Sequence, residues 1–192
     1  MSMIPNSRPR MTEAALMPLV RPLGITDADR LFVVGVRGYY RDTMGKPGVN
    51  DRGIYDDALF IVAPGLHFSS WNANTDPSRY RNGKGTGAGK GMASLKTGLW
   101  RAHRFGLHKG YPALIQIGGA VTVVRDGQPP YEDTGYFGIN IHKGGVTTTS
   151  SEGCQTIHPT QWLAFMANMD DLAKRLRLRG SVIPYALVDA NV

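Results

Sequence analysis

The chain holds one cysteine, Cys154. A single thiol excludes an internal disulfide framework and a metal site built from thiolates alone. It leaves two roles for Cys154, buried filler or reactive nucleophile. No stretch approaches the roughly 20 apolar residues of a membrane-spanning helix, so no transmembrane segment is expected. Charged residues are few, 19% of the chain, and are dispersed rather than gathered into tails, so a long disordered region is not expected. There is no internal repeat. In the opening stretch, MSMIPNSRPRMTEAALMPLVRPLG, Glu13 and Pro18 interrupt a short apolar run and no clear small-residue cleavage site follows. This does not read as a signal peptide, and synthesis in the cytoplasm without one is expected.

What is present is ordinary for a globular protein. With 192 residues and 42% hydrophobic content the chain can bury one core but not two independent ones. The organisation expected is an N-terminal arm over residues 1–24, with a helical piece from Thr12 to Met17 capped by Thr12, and one domain over residues 25–192. The 22 Lys and Arg against 15 Asp and Glu give a formal charge of +7, which favours anionic polymers such as cell wall, nucleic acid or membrane surface without choosing among them.

Short apolar segments bounded by Gly, Pro, Asn and Asp predict strands at Leu31 to Val36, Ala58 to Val62, Ala113 to Ile117, Val121 to Arg125 and Tyr136 to His142. The period changes after Pro159. Trp162, Phe165, Met166, Met169, Leu172 and Leu176 recur at helical spacing, with Pro159 suited to the first turn and Gly180 to the stop. Val182 to Val188 predicts a last strand, broken or edged by Pro184. The fold class is therefore α+β, mostly β, with a late amphipathic helix. Between Ala63 and Gly110 the pattern is irregular, and its glycines argue for a loop. A phosphate-binding loop does not fit there: counting back from Gly89-Lys90 puts Lys84 at the first Gly position, and Gly91 replaces the Ser or Thr that would hold magnesium.

Chemistry concentrates in YFGINIHKGGVTTTSSEGCQTIHPTQW, Tyr136 to Trp162. A strand ending at His142 is followed by a Gly- and Thr-rich loop that returns at Cys154, twelve positions on (142 to 154). That length lets the chain turn and bring imidazole to sulfur. A thiol of ordinary pKa, about 8.5, is mostly protonated at neutral pH and needs a base before it attacks a carbonyl. Gly153 allows a tight turn, with its amide and that of Cys154 directed at a developing oxyanion. Ser150 and Ser151 are expected to bond backbone near the nucleophile or line the cleft. Asn72, Asn74 and Asp76 would form either a polar cleft wall or an Asx-stabilised turn, and Trp71, Tyr136 and Trp162 are candidates to stack on sugar or peptide, with core packing the favoured role for Trp162. His158 is expected at the helix start. His67, His103 and His108 have no ligand spacing, so no metal and no cofactor is expected.

These residues resemble the L,D-transpeptidase catalytic domain, whose pattern is a histidine at a strand end, a loop, then Ser/Thr-His-Gly-Cys, an apolar residue, and Arg or Asn. The match is His142, Ser151, Gly153 and Cys154, and it covers about 50 residues around the motif. The resemblance implies a β-sheet domain that acts on peptidoglycan stem peptides, with Cys154 acylated, His142 as base and the carbonyl of Lys143 orienting the imidazole. This chain departs from the pattern in three places: the loop is shorter, Glu152 replaces the second histidine, and Thr156 takes the Arg or Asn position that grips a peptide carboxylate. Upstream pieces such as RGYYRDTMGKPGVNDRGIYDD and FSSWNANTDP resemble bacteriophage proteins carrying GINIH and SSEGCQTI.

The expected function is thus cysteine-dependent cleavage of amide bonds in peptidoglycan by an endolysin-like enzyme, released to the wall through a phage holin. A cross-linking transpeptidase and a noncatalytic wall-binding module are the alternatives. Nucleic-acid binding through RYRNGKGTGAGKG is a further class, which would show as affinity falling steeply with salt. Oligomeric state is not legible.

Overall fold

The computed structural model describes residues 3–85 and 88–190. It is mostly β, 34% strand and 15% helix. The chain opens with α1 (Glu13–Val20), whose cap Thr12 accepts from the Ala15 amide. Ten strands then follow: β1 (Phe32–Arg37), β2 (Asp57–Ala63), β3 (His67–Asn74), β4 (Ala93–Leu95), β5 (Gly98–His108), β6 (Tyr111–Gln116), β7 (Val121–Arg125), β8 (Tyr131–Gly135), β9 (Ile141–Lys143) and β10 (Gln155–Ile157). α2 (Pro159–Arg175) and β11 (Ile183–Asp189) complete it. Eight strands close into a barrel in the order β1-β11-β5-β6-β9-β10-β3-β2, and β4-β7-β8 form a separate three-stranded sheet.

The barrel strands β1 and β2 are buried on both faces, which is why they read as unbroken apolar runs. Leu59 and Ile61 join one core, with Trp71, Tyr185 and the apolar stripe of α2, Trp162, Phe165, Met169 and Leu172. Their neighbours Phe32, Val34, Phe60 and Val62 point the other way, into a second core covered by Leu16 and Val20 of α1. The arm therefore packs on the domain. Past α1 on its N-terminal side it is strapped down by Tyr39, whose hydroxyl accepts from the amides of Arg10 and Met11, and by Arg8 stacked 4.3 Å over Trp71.

Three expectations need correction. The stretch read as a loop before Gly110 contains β3 and the eleven-residue β5. Pro184 does not mark an edge: β11 is paired on both sides, and the proline sits where the register with β5 shifts between Ile183 and Tyr185, the place a missing N–H is tolerated. The strand read over Tyr136 to His142 is only β9 at its end. Residues 137–140 hang from the side chain of Gln116, whose Oε1 accepts from the amides of Phe137 and Ile139 while its Nε2 donates to the Gly135 carbonyl. Gly138 at φ 70 completes the bend.

Candidate active site

Pairing places the thiol and the imidazole on the wall of one cleft. β9 and β10 run parallel with Ile141 opposite Gln155 and His142 opposite Thr156, so Cys154, one residue before β10, lies beside Asn140. The Asn140 amide donates to Sγ at 3.4 Å, and the thiol donates to the Gly138 carbonyl at 3.1 Å. Cys154 and His142 line one cleft of about 220 Å³, together with His108, Lys109, Phe137, Gly138, Ile139, Ser150, Glu152 and Gly153.

The imidazole is held in one orientation. His142 Nδ1 lies 2.8 Å from the Lys143 carbonyl, and Tyr111 donates its hydroxyl to the same carbonyl at 3.3 Å. A carbonyl so close to Nδ1 requires the proton there, which leaves the Nε2 lone pair free. The Lys143 carbonyl holds the imidazole as expected, while its side chain lies over the Tyr111 ring, 5.1 Å from its centre. Burial pushes His142 down to about 4, helped by neighbouring His108 and Lys109, and pushes the Cys154 thiol up to about 11. Lys109 and the Asn140 amide act against that rise, and Glu152 adds to it. Both groups of the pair are neutral in the resting protein.

The loop from β9 to β10 is built from inside. Ser151 is buried: its Oγ donates to the Cys154 carbonyl at 2.7 Å and accepts from the Gly153 amide at 3.0 Å. Ser151 therefore shapes the turn and does not face substrate. The Gly153 amide, expected as an oxyanion donor, is occupied by this bond. The Cys154 amide makes no hydrogen bond among the described residues and remains available. Gly153 has φ +141, and a Cβ there would overlap the Ala93 carbonyl oxygen, so its glycine identity is demanded by backbone and packing together.

Behind Cys154, Gln155 donates to the Gly153 carbonyl and accepts from the buried Tyr185 hydroxyl at 2.7 Å. Ser78 ties the loop's far limb, donating to or accepting from Thr149 Oγ1 and accepting from the Ser151 amide. Tyr55 donates to the Gly145 carbonyl.

The other expected contacts divide. Ser150, at φ 54, and Glu152 reach the cleft, and Glu152 is exposed and pairs with Arg81 at 3.7 Å. Tyr136 is exposed but not among the cleft's lining residues. Asn74 and Thr156 are fully buried, 3.5 Å apart across the β3–β10 pair, so neither reaches substrate. Asn72 and Asp76 are buried as well, Asp76 pairing with Arg37 at 3.3 Å. Their polar atoms serve the barrel rather than a cleft wall, and Trp71 is core. His158 caps α2, accepting from the Thr160 amide.

Sequence reasoning missed His108. It ends β5, stacks on His142 with ring centres 4.1 Å apart and planes 13° apart, and bonds Asn140 through Nδ1. The available signal was Lys109-Gly110, both at positive φ, a two-residue hairpin turn that sets His108 and Tyr111 side by side. Among the described residues no group of three His, Cys, Asp or Glu side chains is placed to hold a metal, and no helix is long and apolar enough to cross a membrane. In the Lys84 region, Thr86 and Gly87 of the glycine-rich stretch lie outside the described residues. No family model, curated protein or solved structure matches this chain.

Proposed function

We propose that the protein is a cysteine acyl-transfer enzyme of the L,D-transpeptidase type that acts on peptidoglycan stem peptides, cleaving amide bonds as an endolysin-like peptidase. The observation that carries this is a free thiol sharing a cleft with an imidazole whose Nδ1 is pinned to the Lys143 carbonyl, leaving Nε2 as the base. The order of strand, histidine, loop, cysteine, helix and last strand supports the same family.

The reaction runs from the neutral pair. As Sγ attacks the amide carbonyl, its proton moves to His142 Nε2, and the carbonyl electrons move onto oxygen, facing the free Cys154 amide. Collapse breaks the C–N bond, and the imidazolium returns the proton to the departing amine. The resulting thioester is attacked by water, with His142 taking the proton, to release a carboxylic acid and the thiol. Attack by an amine would form a cross-link instead. With Thr156 buried, Lys109 on the cleft wall is the cation available to a substrate carboxylate. The formal charge of +7 suits an anionic wall polymer, and the bacteriophage resemblance fits release through a holin.

The test is incubation of the protein and Cys154→Ala with defined peptidoglycan, followed by mass analysis of fragments and of the protein. Thiol-dependent fragments or a covalent adduct are expected, and the fragment masses separate hydrolysis from exchange. Equal inertness of both proteins with retained wall binding would replace the enzyme by a binding module.

A further inference from the structure

We infer that His108 is a second functional imidazole of the cleft, donating a hydrogen bond from Nε2 to the carbonyl oxygen of the acyl group transferred to Cys154. This rests on the acyl-transfer reading above and adds to it a residue that belongs to neither the motif nor its loop.

The protonation of His108 follows from its neighbour. Asn140 Oδ1 accepts from the backbone amide of Gln116 at 2.8 Å, and a backbone N–H can only donate, so the side-chain amide nitrogen of Asn140 is fixed on its other side. That nitrogen lies 3.0 Å from His108 Nδ1 and donates to it. Nδ1 is therefore bare and the ring proton sits on Nε2. His108 Nε2–H has no protein partner among the described residues, and the ring lines the same cleft as the thiol.

Neutrality is enforced twice. A proton on Nδ1 would face the Asn140 amide hydrogens, and a charged ring would lie against His142, 4.1 Å away, just when that ring must accept the thiol proton. Burial, with Lys109 nearby, also holds His108 below the usual histidine range. A neutral imidazole in that position donates a hydrogen bond without competing for the proton. The same Asn140 gives its backbone amide to Sγ, so nucleophile and donor are held by one residue. The need is specific to this loop. The Gly153 amide is committed to Ser151, which leaves the Cys154 amide as one donor where a developing oxyanion is best served by two.

The experiment compares two reactions of the sole cysteine. Acetylation by p-nitrophenyl acetate passes through an oxyanion, whereas alkylation by iodoacetamide does not. Loss of the donor in His108→Phe, which keeps a stacking ring, is expected to slow acetylation by at least about tenfold while alkylation changes by less than about threefold. His108→Gln, which restores an N–H donor, is expected to recover most of the loss. Equal slowing of both reactions would make His108 a packing residue and overturn the inference, as would unchanged acetylation. Because neither reagent contains peptidoglycan, a protein inert toward wall fragments that still gives the split between the two reactions would sink the proposed substrate and leave His108 in place.

Discussion

The resting thiol keeps its proton. Sγ donates to the Gly138 carbonyl, and burial moves the two members of the pair apart in the direction opposite to an ion pair, the thiol up to about 11 and the imidazole down to about 4. Cys154 therefore differs from thiols activated as preformed thiolates: in the proposed reaction its proton would leave only as a substrate carbonyl takes the place of the Gly138 contact and Nε2 accepts it. A measurable consequence is the pH dependence of alkylation. Iodoacetamide labelling of the sole cysteine is expected to stay slow through neutral pH and rise only above about 9, the reverse of the acid-shifted plateau of a thiolate–imidazolium pair. Turnover should behave differently. It needs neutral His142, so its acid limb should lie below the ordinary histidine value of 6.5, toward 4. A labelling plateau reached by pH 6 would contradict this account of the resting site.

At the scale of elements, the site is a loop held by side chains of other strands. Gly153 is the clearest case. In Gly153→Ala the new methyl meets the Ala93 carbonyl at a φ that L residues avoid, and the two penalties together amount to about 3 kcal/mol. A lowered urea midpoint with an unchanged slope is the expected measurement, and a variant as stable as the parent would show that the Ala93 contact yields.

The same loop marks where legibility in the sequence ends. β7 agrees residue for residue and α2 begins at Pro159, because each depends on a local period and local caps. Phe137, Ile139 and Ile141 also alternate as a strand does, yet Gln116, far away in the chain, takes the backbone bonds that would have made one. β5 was hidden by its own composition: Arg101, His103 and Arg104 interrupt the apolar pattern, and His103 is a buried polar residue bonded to the Ile139 carbonyl. Cys154 and His142 were legible because a short loop joins them. His108 reaches the cleft only through the β5–β6 hairpin and the pairing of Leu114 with Ile141, contacts no local pattern encodes.

At the scale of the whole molecule, buried titrating groups of both kinds set the pH of greatest stability. His103 and His142 are held neutral by burial, each pushed down to about 4, so as pH falls through 6.5 the unfolded chain takes up protons that the folded one refuses, and stability is lost. Asp56 and Asp57 act in the opposite direction. Burial and the Asp76 charge raise both above the ordinary 3.8, and the Asp57 charge raises Asp56 further. Asp57 accepts from the Gly38 amide and from the amide and hydroxyl of Thr75, three donors that favour its ionised form. Asp56 has one oxygen without a partner among the described residues, so it keeps a proton more readily than Asp57.

A carboxyl raised in the folded state favours folding at low pH and costs stability as pH rises from about 4 into the neutral range. His108 and His158, lowered by burial as well, add to the histidine side, so between 4 and 6.5 the histidines offset or outweigh the aspartates, and above 6.5 the aspartates act. The melting temperature is therefore expected to be level or to rise slightly with pH through mildly acidic buffer and to fall toward pH 8. Asp56→Asn keeps an oxygen for the Asp51 amide and removes the ionisable group, so its melting temperature should exceed that of the parent at pH 8, by about 2–4 °C for each kcal/mol relieved, and converge with it near pH 4. A variant that melts lower than the parent at both pH values would mean that the Asp56 charge is paired within the fold and that the proton belongs on Asp57.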